Sequence, residues 1–314
     1  MSRLDEIETF VAIVEAGSLS GAARADGIAL SAVSRRLKDL ELRVGTTLLQ
    51  RSTRSLSLTD QGRDYFLRCR QVLADLAEAE THLRDVAGQL TGTIRIAAPV
   101  TFSTLHLAPL FSAFMDQHPE VALDIDLSDR RVDLIEEGFD LAVRIGRLKD
   151  STLVARRLTP VRHVPTAAPA LLDRLGVPDT PEAMGDFPVL RYSSTRAAGR
   201  WDFIRPDGTG GSVTLTGRMR CNNGDLLVSA AAQGLGLCLE PTFVTGPLVR
   251  DGRLVPLFAD HIWSDNAAYV VYAGGRQLPR RVRAFIDHLA AGLSADPWWD
   301  RAINDAPTPG APAR

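Results

Sequence analysis

Cysteine and histidine are scarce and scattered in this sequence. Its 314 residues contain three cysteines, Cys69, Cys221 and Cys238, which lie far apart and form no C-x-x-C pair. This spacing excludes a disulfide framework and the usual structural zinc sites. None of the six histidines lies four residues from another, so the H-x-x-x-H zinc pattern is missing too. We therefore expect no metal and no other cofactor.

Long hydrophobic runs are also absent. No uninterrupted apolar stretch reaches the ~18 residues that a membrane-spanning helix needs. The first ten residues carry one arginine and three acids, a composition unlike that of a signal peptide. The sequence therefore predicts a cytoplasmic protein without a membrane partner.

The motifs of the common enzyme classes are missing as well. The sequence has no G-x-S-x-G nucleophile elbow and no Walker loop, and Gly234-x-Gly236 is too short for a dinucleotide-binding fingerprint. Asp124, Asp126 and Asp129 lack the glycine of a calcium loop. An enzyme in the C-terminal part is the alternative, but we predict that the chain is not an enzyme.

The net charge of -2 conceals one strongly basic segment. Residues 31–58 contain six arginine or lysine residues and only two acids. A protein that binds duplex DNA needs a local basic surface, because the phosphates act over a short range in salt. The basic segment therefore predicts a nucleic-acid partner, although the chain as a whole is slightly acidic.

The stretch ALSAVSRRLKDLE, residues 29–41, predicts an amphipathic helix within this basic segment. Its apolar residues recur at intervals of three, four and three: Leu30, Val33, Leu37 and Leu40. Its other side has hydroxyls and cations but no acid: Ser31, Ser34, Arg35 and Lys38. An ordinary solvated helix face, which is the alternative, usually mixes both signs of charge. The acid-free face favours contact with a polyanion.

The neighbouring segments support this interpretation. Residues 5–16 predict one helix, and a second short helix begins at Ser18 or Ser20 and ends near Gly27. Two helices followed by the amphipathic one are typical of a helix-turn-helix, whose last helix lies in the major groove. Residues 48–58 then predict a hairpin with two arginines at its tip, which is typical of a wing that contacts phosphate or the minor groove.

A long helix is predicted from residue 60 to about residue 90. It carries a heptad seam with one polar interruption: Phe66, Cys69, Leu73, Leu76, Glu80, Leu83, Ala87 and Leu90. A helix of ~45 Å with an apolar seam needs a partner, and the simplest partner is a second copy of the chain. We expect Phe66, Leu73, Leu76, Leu83 and Leu90 to form this dimer contact. Packing of the seam on the C-terminal part of the same chain is the alternative.

From residue 93 onward, strand patterns alternate with helix patterns, in two similar sets. Such alternation predicts an α/β domain with mainly parallel, doubly wound sheets, which bind ligands at the carboxyl ends of their strands. Cys238 lies in the apolar run GLGLCLEP and is expected to be a buried packing residue. Cys221, beside Arg220, is the better candidate for a redox switch. The tail from residue 294 is rich in proline and alanine and is predicted to be disordered.

Three stretches resemble one known family. SLSGAARADGIALSAVSRRLKDLELRVGTTLLQRSTRSLSLTDQG resembles the winged helix-turn-helix of LysR-type transcriptional regulators almost position for position. DLAVRIGRLKDSTLVARRL and AAAQGLGLCLEPTFVTGPLVRDGRLVPLF are similar to segments of that family's effector-binding domain. The resemblance covers roughly residues 1–292 and implies a sequence-specific transcriptional regulator that responds to a small molecule.

The resemblance also implies a domain plan. Residues 1–59 would form the winged helix-turn-helix domain and residues 60–90 the linker and dimerisation helix. Residues 91–293 would form an effector-binding domain of the periplasmic-binding-protein type, followed by the disordered tail at 294–314. One subdomain would comprise about 93–160 and 267–292, and the other about 161–266, with the effector between them.

Carried over position by position, the resemblance implies a set of DNA-binding residues: Ser31, Ser34, Arg35, Arg36, Lys38, Arg51, Ser52, Thr53 and Arg54. We expect Arg35 to contact a base edge, since a guanidinium bonds bidentately to guanine. The family often has Ser followed by Pro or Gln where this chain has Ala29 and Leu30. Alanine is a poor N-cap, and leucine makes no polar contact. We therefore expect this protein to read DNA differently from its relatives at the bases that face Ala29 and Leu30.

The resemblance also places candidate effector contacts: Thr101, Phe102, Ser103, Arg147, Thr166, Ala167, Asn222 and Asn223. Hydroxyls, amides and helix N-termini suit a small anion, although capping of helices is the alternative role for each residue. The implied partners are a pseudo-palindromic site on double-stranded DNA, an anionic effector, further copies of the chain in a homodimer or homotetramer, and RNA polymerase.

Overall fold

The computed structural model describes residues 2–51, 56–85, 89–147, 153–193, 199–274 and 278–306. The chain divides into two compact units, Met1–Gly92 with Asp133–Gly138, and Thr93–Val132 with Phe139–Arg314. None of the described helices combines the length and the apolar content that crossing a bilayer requires.

The first unit contains four helices and a hairpin. In chain order these are α1 (Arg3–Glu15), α2 (Leu19–Ala25), α3 (Leu30–Val44), β1 (Leu49–Arg51), β2 (Leu56–Leu58) and α4 (Asp60–Asp85). Ser2 and Asp5 form a capping box at the start of α1, and Ser18 caps α2 by accepting from the backbone N–H of Gly21. Gly45 ends α3 in the left-handed conformation, with φ of 74°. The predicted helix-turn-helix and hairpin are confirmed.

The core of the first unit lies between α1 and α3. Phe10, Val33 and Leu37 are buried together, and the Phe10 ring lies 5.8 Å from the ring of Tyr65 on α4. Leu40 completes the buried stripe of α3. The fourth residue of the predicted apolar face behaves differently, because Leu30 in the first turn of α3 is 50% exposed. Leu30 therefore has the spacing of the apolar stripe but does not belong to its buried part.

Polar contacts between α1 and α3 supplement this core. Arg43 forms an ion pair with the mostly buried Glu6 at 2.8 Å. The Arg36 guanidinium donates a hydrogen bond to Thr9 Oγ1 at 3.1 Å. These contacts fix the orientation of α3 and leave its opposite face exposed.

The start of α3 has no side-chain cap, as the sequence predicts. Ala29 occupies the N-cap position with extended backbone, φ -65° and ψ 140°, and its methyl group accepts no hydrogen bond. We expect Ala29→Ser to raise the free energy of unfolding of the N-terminal unit by about 1 kcal/mol, because the hydroxyl can accept from a first-turn N–H. Chemical denaturation measures the gain, with Ala29→Val as the matched control that adds bulk without an acceptor. An equal effect of serine and valine would contradict the capping explanation.

The hairpin and α4 follow directly. β1 and β2 pair antiparallel with Leu49 opposite Leu58, and Thr59 Oγ1 caps α4 by accepting from the Gly62 N–H at 2.9 Å. The predicted seam on α4 needs a correction at both ends. Phe66 packs against Phe10 in the core of its own chain, with ring centroids 6.3 Å apart, and Leu90 lies beyond the helix end at Asp85.

The middle of the seam is more open. Leu73 is half-buried and Leu76 is exposed, while the side chain of Leu83 lies outside the described residues. Val72, next to the seam, is also exposed. Among the α4 side chains that the structure describes, Val72 and Leu76 are apolar and exposed, whereas Phe66 packs in the core of the first unit.

The described residues of the second unit form two five-stranded sheets, a two-stranded antiparallel hairpin of β9 and β10, and several helices. Its strands are β3 (Gly92–Ala98), β4 (Val121–Leu127), β5 (Leu141–Gly146), β6 (Leu153–Val161), β7 (His163–Ala167), β8 (Val189–Tyr192), β9 (Arg200–Ile204), β10 (Gly210–Thr214), β11 (Gly217–Cys221), β12 (Leu237–Pro241), β13 (Val255–Pro256) and β14 (Asn266–Ala273). Its helices are α5 (Val100–Phe102), α6 (Ala108–Gln117), α7 (Pro169–Leu175), α8 (Gly224–Ala232), α9 (Thr242–Arg250), α10 (Arg280–Gly292) and α11 (Arg301–Asn304). A π-helical turn, Ser103–Leu107, joins α5 to α6.

The two sheets are mixed, which corrects the expectation of mainly parallel pairing. The first has the strand order β4-β3-β5-β14-β6 and the second β11-β8-β12-β7-β13. Pairs β3–β5, β8–β11 and β8–β12 are parallel, whereas β14 and β7 pair antiparallel with their neighbours. β6 and β7 follow one another almost without a break, so the chain passes from one sheet to the other without a crossover helix.

The C-terminal segment is ordered and packs on the second unit. Residues 298–304 form a short 3-10 turn and α11, in which Trp299 and Ile303 are buried. Thr242 Oγ1, at the start of α9, donates to Asp300 Oδ1 at 2.5 Å. The prediction of a disordered tail is wrong for residues 294–306. It rests on the proline and alanine content of the tail, whereas two tryptophans in this segment supply apolar area for packing. Residues 307–314 lie outside the described residues.

Candidate nucleic-acid interface and ligand cleft

The outward face of α3 is basic and accessible. Ser31, Arg35 and Lys38 are exposed, Ser34 is partly exposed, and the first turn contains no acid. Within the described part of the first unit, the ion pairs involve neither Arg35 nor Lys38. Both cations are therefore available to an outside partner. The uncapped N–H groups at the start of α3 add partial positive charge at the same end.

The remaining predicted DNA contacts are placed differently. The guanidinium of Arg36 is partly buried against Thr9, so its hydrogen bond holds α3 on α1. Of Arg51 the structure describes the backbone alone, as the last residue of β1. Ser52, Thr53 and Arg54 lie outside the described residues. A phosphate contact by any of these residues stays a prediction.

In the second unit, two helix starts face one another. The hydroxyl of Thr101, on α5, donates a hydrogen bond to Asp225 Oδ2 in the first turn of α8. Asn223 caps α8 by accepting from the Leu226 N–H at 3.0 Å. Thr101 follows β3 of the first sheet, and Asn223 follows β11 of the second. The structure thus brings two of the predicted effector residues to the place where the two sheets meet, which we call the cleft.

Three other predicted effector residues are buried in packed cores. Phe102 lies 5.2 Å from the ring of Phe243, Thr166 Oγ1 lies 3.2 Å from Cys238 Sγ, and Ala167 belongs to the core of the second sheet. In this conformation they contact protein atoms, and a role in effector binding stays a prediction for these residues. Ser103 is also buried, and its Oγ has no hydrogen-bond partner in the part of the chain that the structure describes. Arg147 and Asn222 are exposed.

Sequence reasoning missed the three carboxyl groups of the cleft. Asp129 Oδ1 accepts from the Val100 N–H at 3.2 Å, and burial raises the pKa of Asp129, with the Asp225 charge raising it further. Glu240 on β12 is 3% exposed. Burial, with a further contribution from Asp225, raises the pKa of Glu240 to about 8. The one signal in the sequence was an acid inside the apolar run GLGLCLEP.

The two parts of the chain match two family models. Residues 4–63 match the bacterial regulatory helix-turn-helix protein of the lysR family. Residues 87–294, more than half of the chain, match the LysR substrate binding domain. The chain belongs to the LysR family of transcriptional regulators. The resemblance of the sequence to this family is confirmed.

Relatives of this LysR-type regulator align with nearly its whole length. An HTH-type transcriptional repressor from Pseudomonas aeruginosa is 34% identical over 298 residues, which are 95% of this chain and 94% of that protein. The structure of the Vibrio cholerae virulence activator AphB has a TM-score of 0.61 and 27% identity, covering 93% of this chain and 99% of that one. The structure of CrgA from Neisseria meningitidis has a TM-score of 0.58 and 31% identity, covering 92% and 98%.

These similarities establish the function class. The regulator combines a helix-turn-helix DNA-binding domain with an effector-binding domain and is not an enzyme. The family binds DNA through the first domain and small molecules through the second, and oligomers are typical of it.

The cysteines of the regulator differ in their environments. Cys238 is fully buried, and burial, with a smaller contribution from Glu240, raises its pKa to about 12. Burial also raises the pKa of Cys69. A reactive thiol needs access and a lowered pKa, so both residues serve in packing, as the sequence predicts for Cys238. Cys221 is partly exposed, and its redox role stays a prediction.

Proposed function

We propose that the regulator reads a pseudo-palindromic promoter site through the outward face of α3, with Arg35 on a base edge. The observation that carries the proposal is the exposed, acid-free face on which Arg35 and Lys38 have no ion-pair partner among the described residues. Ser31 and Ser34 lie on the same face and can contact bases or phosphates. The wing, with Arg51 and Arg54, would add phosphate or minor-groove contacts.

We further propose that the regulator acts as a homodimer or homotetramer on chromosomal DNA in the cytoplasm. Two copies of α3 would enter major grooves about 34 Å apart, one turn of the duplex. The exposed Val72 and Leu76 on α4 provide apolar surface for the contact between copies. A small molecule bound in the cleft would change the promoter complex, including contacts with RNA polymerase. An anionic effector stays a prediction of the sequence.

The test is DNA binding by Arg35→Ala. Fluorescence anisotropy with the promoter region of the regulator's own gene and with scrambled DNA, over a series of salt concentrations, separates specific from non-specific binding. We expect Arg35→Ala to weaken specific binding by about 1–3 kcal/mol and to relax the sequence preference at the base pair that Arg35 contacts. Arg63→Ala, which removes an exposed arginine from α4, is the matched control and should change binding little.

Two outcomes would contradict the base contact. If Arg35→Ala weakens binding to promoter and scrambled DNA equally and lowers the salt slope by about 1, Arg35 contacts a phosphate. If the wild-type protein shows no sequence-selective binding, α3 does not read the promoter region at all.

A further inference from the structure

Three carboxyl groups converge on the cleft from both sheets. Asp129 caps the start of α5, whereas Asp225 lies in the first turn of α8 and Glu240 lies on β12. A side chain at Gly224 would place its Cβ 2.9 Å from Glu240 Oε2, so the carboxyl group lies directly against the start of α8. The charge of Asp225 acts on both of the other acids. The three groups therefore form one electrostatic unit, the acidic group of the cleft.

Glu240 is the unusual member of this group. Its side chain is almost completely buried, yet none of the described residues forms a hydrogen bond with Oε1. Buried polar atoms in folded proteins are nearly always paired, and an unpaired carboxyl oxygen is costly. The unpaired oxygen points to a donor that the described residues do not supply, in the part of the chain that matches a substrate binding domain.

The surroundings of the acidic group favour a positively charged donor. Among the described residues, no arginine, lysine or histidine forms an ion pair with Asp129, Asp225 or Glu240. One N–H group at each helix start, which would attract an anion, already donates to a side chain of the protein: that of Val100 to Asp129 and that of Leu226 to Asn223. An incoming carboxylate or phosphate would meet repulsion here.

A metal ion is a poorer candidate than an organic cation. No group of three acids, histidines or cysteines in the described part of the chain is close enough to hold a metal ion. Carboxylates that are too far apart for one metal ion can still pair with separate N–H groups of a larger molecule.

We propose that the cleft of this regulator binds a small organic cation, an ammonium or guanidinium compound, whose N–H groups pair with Glu240 and Asp225. The proposal rests on the proposed role of the cleft as the effector site, and it replaces the anionic effector that the sequence predicts. Thr101 on α5 and Asp129 follow strands of the first sheet, whereas Asp225 on α8 follows a strand of the second sheet and Glu240 lies in that sheet. A cation bound between them connects the two sheets, which gives the effector a direct means to change the conformation of the domain.

Three probes of equal length test whether the cleft prefers a positively charged, a neutral or a negatively charged ligand. Propylammonium, 1-propanol and propionate are titrated onto the full-length protein at matched ionic strength and at about pH 8.5, where the ammonium group is still charged. The rise of the unfolding midpoint with probe concentration yields an apparent Kd for each probe. We expect propylammonium to bind at least about tenfold more tightly than the other two, as a charge-assisted hydrogen bond implies.

Two variants test whether propylammonium binds at Glu240. Glu240→Gln removes the charge but keeps the shape, and we expect it to weaken propylammonium binding at least about tenfold. Glu120→Gln removes an exposed carboxylate from the loop before β4 and should leave binding unchanged. Tighter binding of propionate than of propylammonium, no binding of either ion, or equal binding of propylammonium to wild type and Glu240→Gln would each overturn the proposal.

The same preparation separates this inference from the proposed function. DNA binding is measured by anisotropy without any probe, and probe binding is measured without DNA. If the protein binds propylammonium but shows no sequence-selective DNA binding, the result contradicts only the proposal that α3 reads the promoter. If DNA binding is sequence-selective but propylammonium is not preferred, the result contradicts only the proposed cation site.

Discussion

Replacing Trp299 by alanine is expected to lower the free energy of unfolding of the effector-binding domain by about 3–5 kcal/mol. Trp299 is 4% exposed, and its ring lies 4.2 Å from His106 and 6.1 Å from Phe102. Phe243 on α9 packs against the same ring at 6.3 Å. Alanine would leave a large cavity among these rings and remove the main apolar anchor of residues 294–306.

The adjacent tryptophan is the matched control. Trp298 is 56% exposed, so Trp298→Ala removes a side chain of the same size with a smaller loss of burial and should cost clearly less than Trp299→Ala. Urea unfolding of the full-length variants, followed by circular dichroism, measures both changes. Equal effects of the two substitutions would contradict the role of Trp299 as the main apolar anchor of residues 294–306.

Exchanging Glu240 for glutamine is expected to stabilise the effector-binding domain by an amount that grows with pH. The pKa of Glu240 is raised to about 8 in the folded protein by burial and by Asp225. An unfolded glutamate titrates near pH ~4.3. Below that value both states of the wild type hold the proton, and the substitution should change little.

The sign of the effect follows from the two pKa values. Between about pH 4.3 and the folded pKa, the folded state keeps a proton that the unfolded state has lost, so the stability of the wild type falls as pH rises. Above the folded pKa, the wild type bears the whole free-energy cost of holding the charged Glu240 carboxylate in a buried place. Glutamine carries no charge to desolvate, and the gain should therefore reach the order of a few kcal/mol at alkaline pH.

Urea unfolding at about pH 5, 7 and 9 measures this gain. The difference between Glu240→Gln and wild type should be small at the first pH and largest at the last. Glu120→Gln, in which the replaced carboxylate is exposed, should show no comparable trend. A pH-independent difference, or a wild type that is the more stable protein at pH ~9, would contradict the buried, unpaired state of Glu240.

Features that depend on neighbours in the chain were predictable. The start of α2 at Ser18, the helical spacing of Val33, Leu37 and Leu40, and the hairpin all appear where the sequence predicts them. Each is decided by hydrogen bonds or side-chain spacing within a few residues. Leu30 is the exception, since no element of the described part covers the first turn of α3 closely enough to bury it.

Other features required the folded chain. Phe66 has the spacing of a dimer seam, but whether its face meets another copy or Phe10 of the same chain depends on how α4 packs on α1. Trp299 lies in a segment whose composition indicates disorder, and its burial depends on a site made by Phe102, His106 and Phe243. Periodicity and composition contain no information about such distant partners.

By itself, the sequence determined the order of elements, the basic face of α3 and the family of the regulator, because these depend on local patterns and on motifs that persist in relatives. The tertiary structure alone decided the charge of the cleft. Asp129, Asp225 and Glu240 are separated by about a hundred residues at the extremes, and their carboxyl groups influence one another only after two sheets have brought them together. Electrostatic interactions depend on distance in space and on burial, and both are properties of the folded chain.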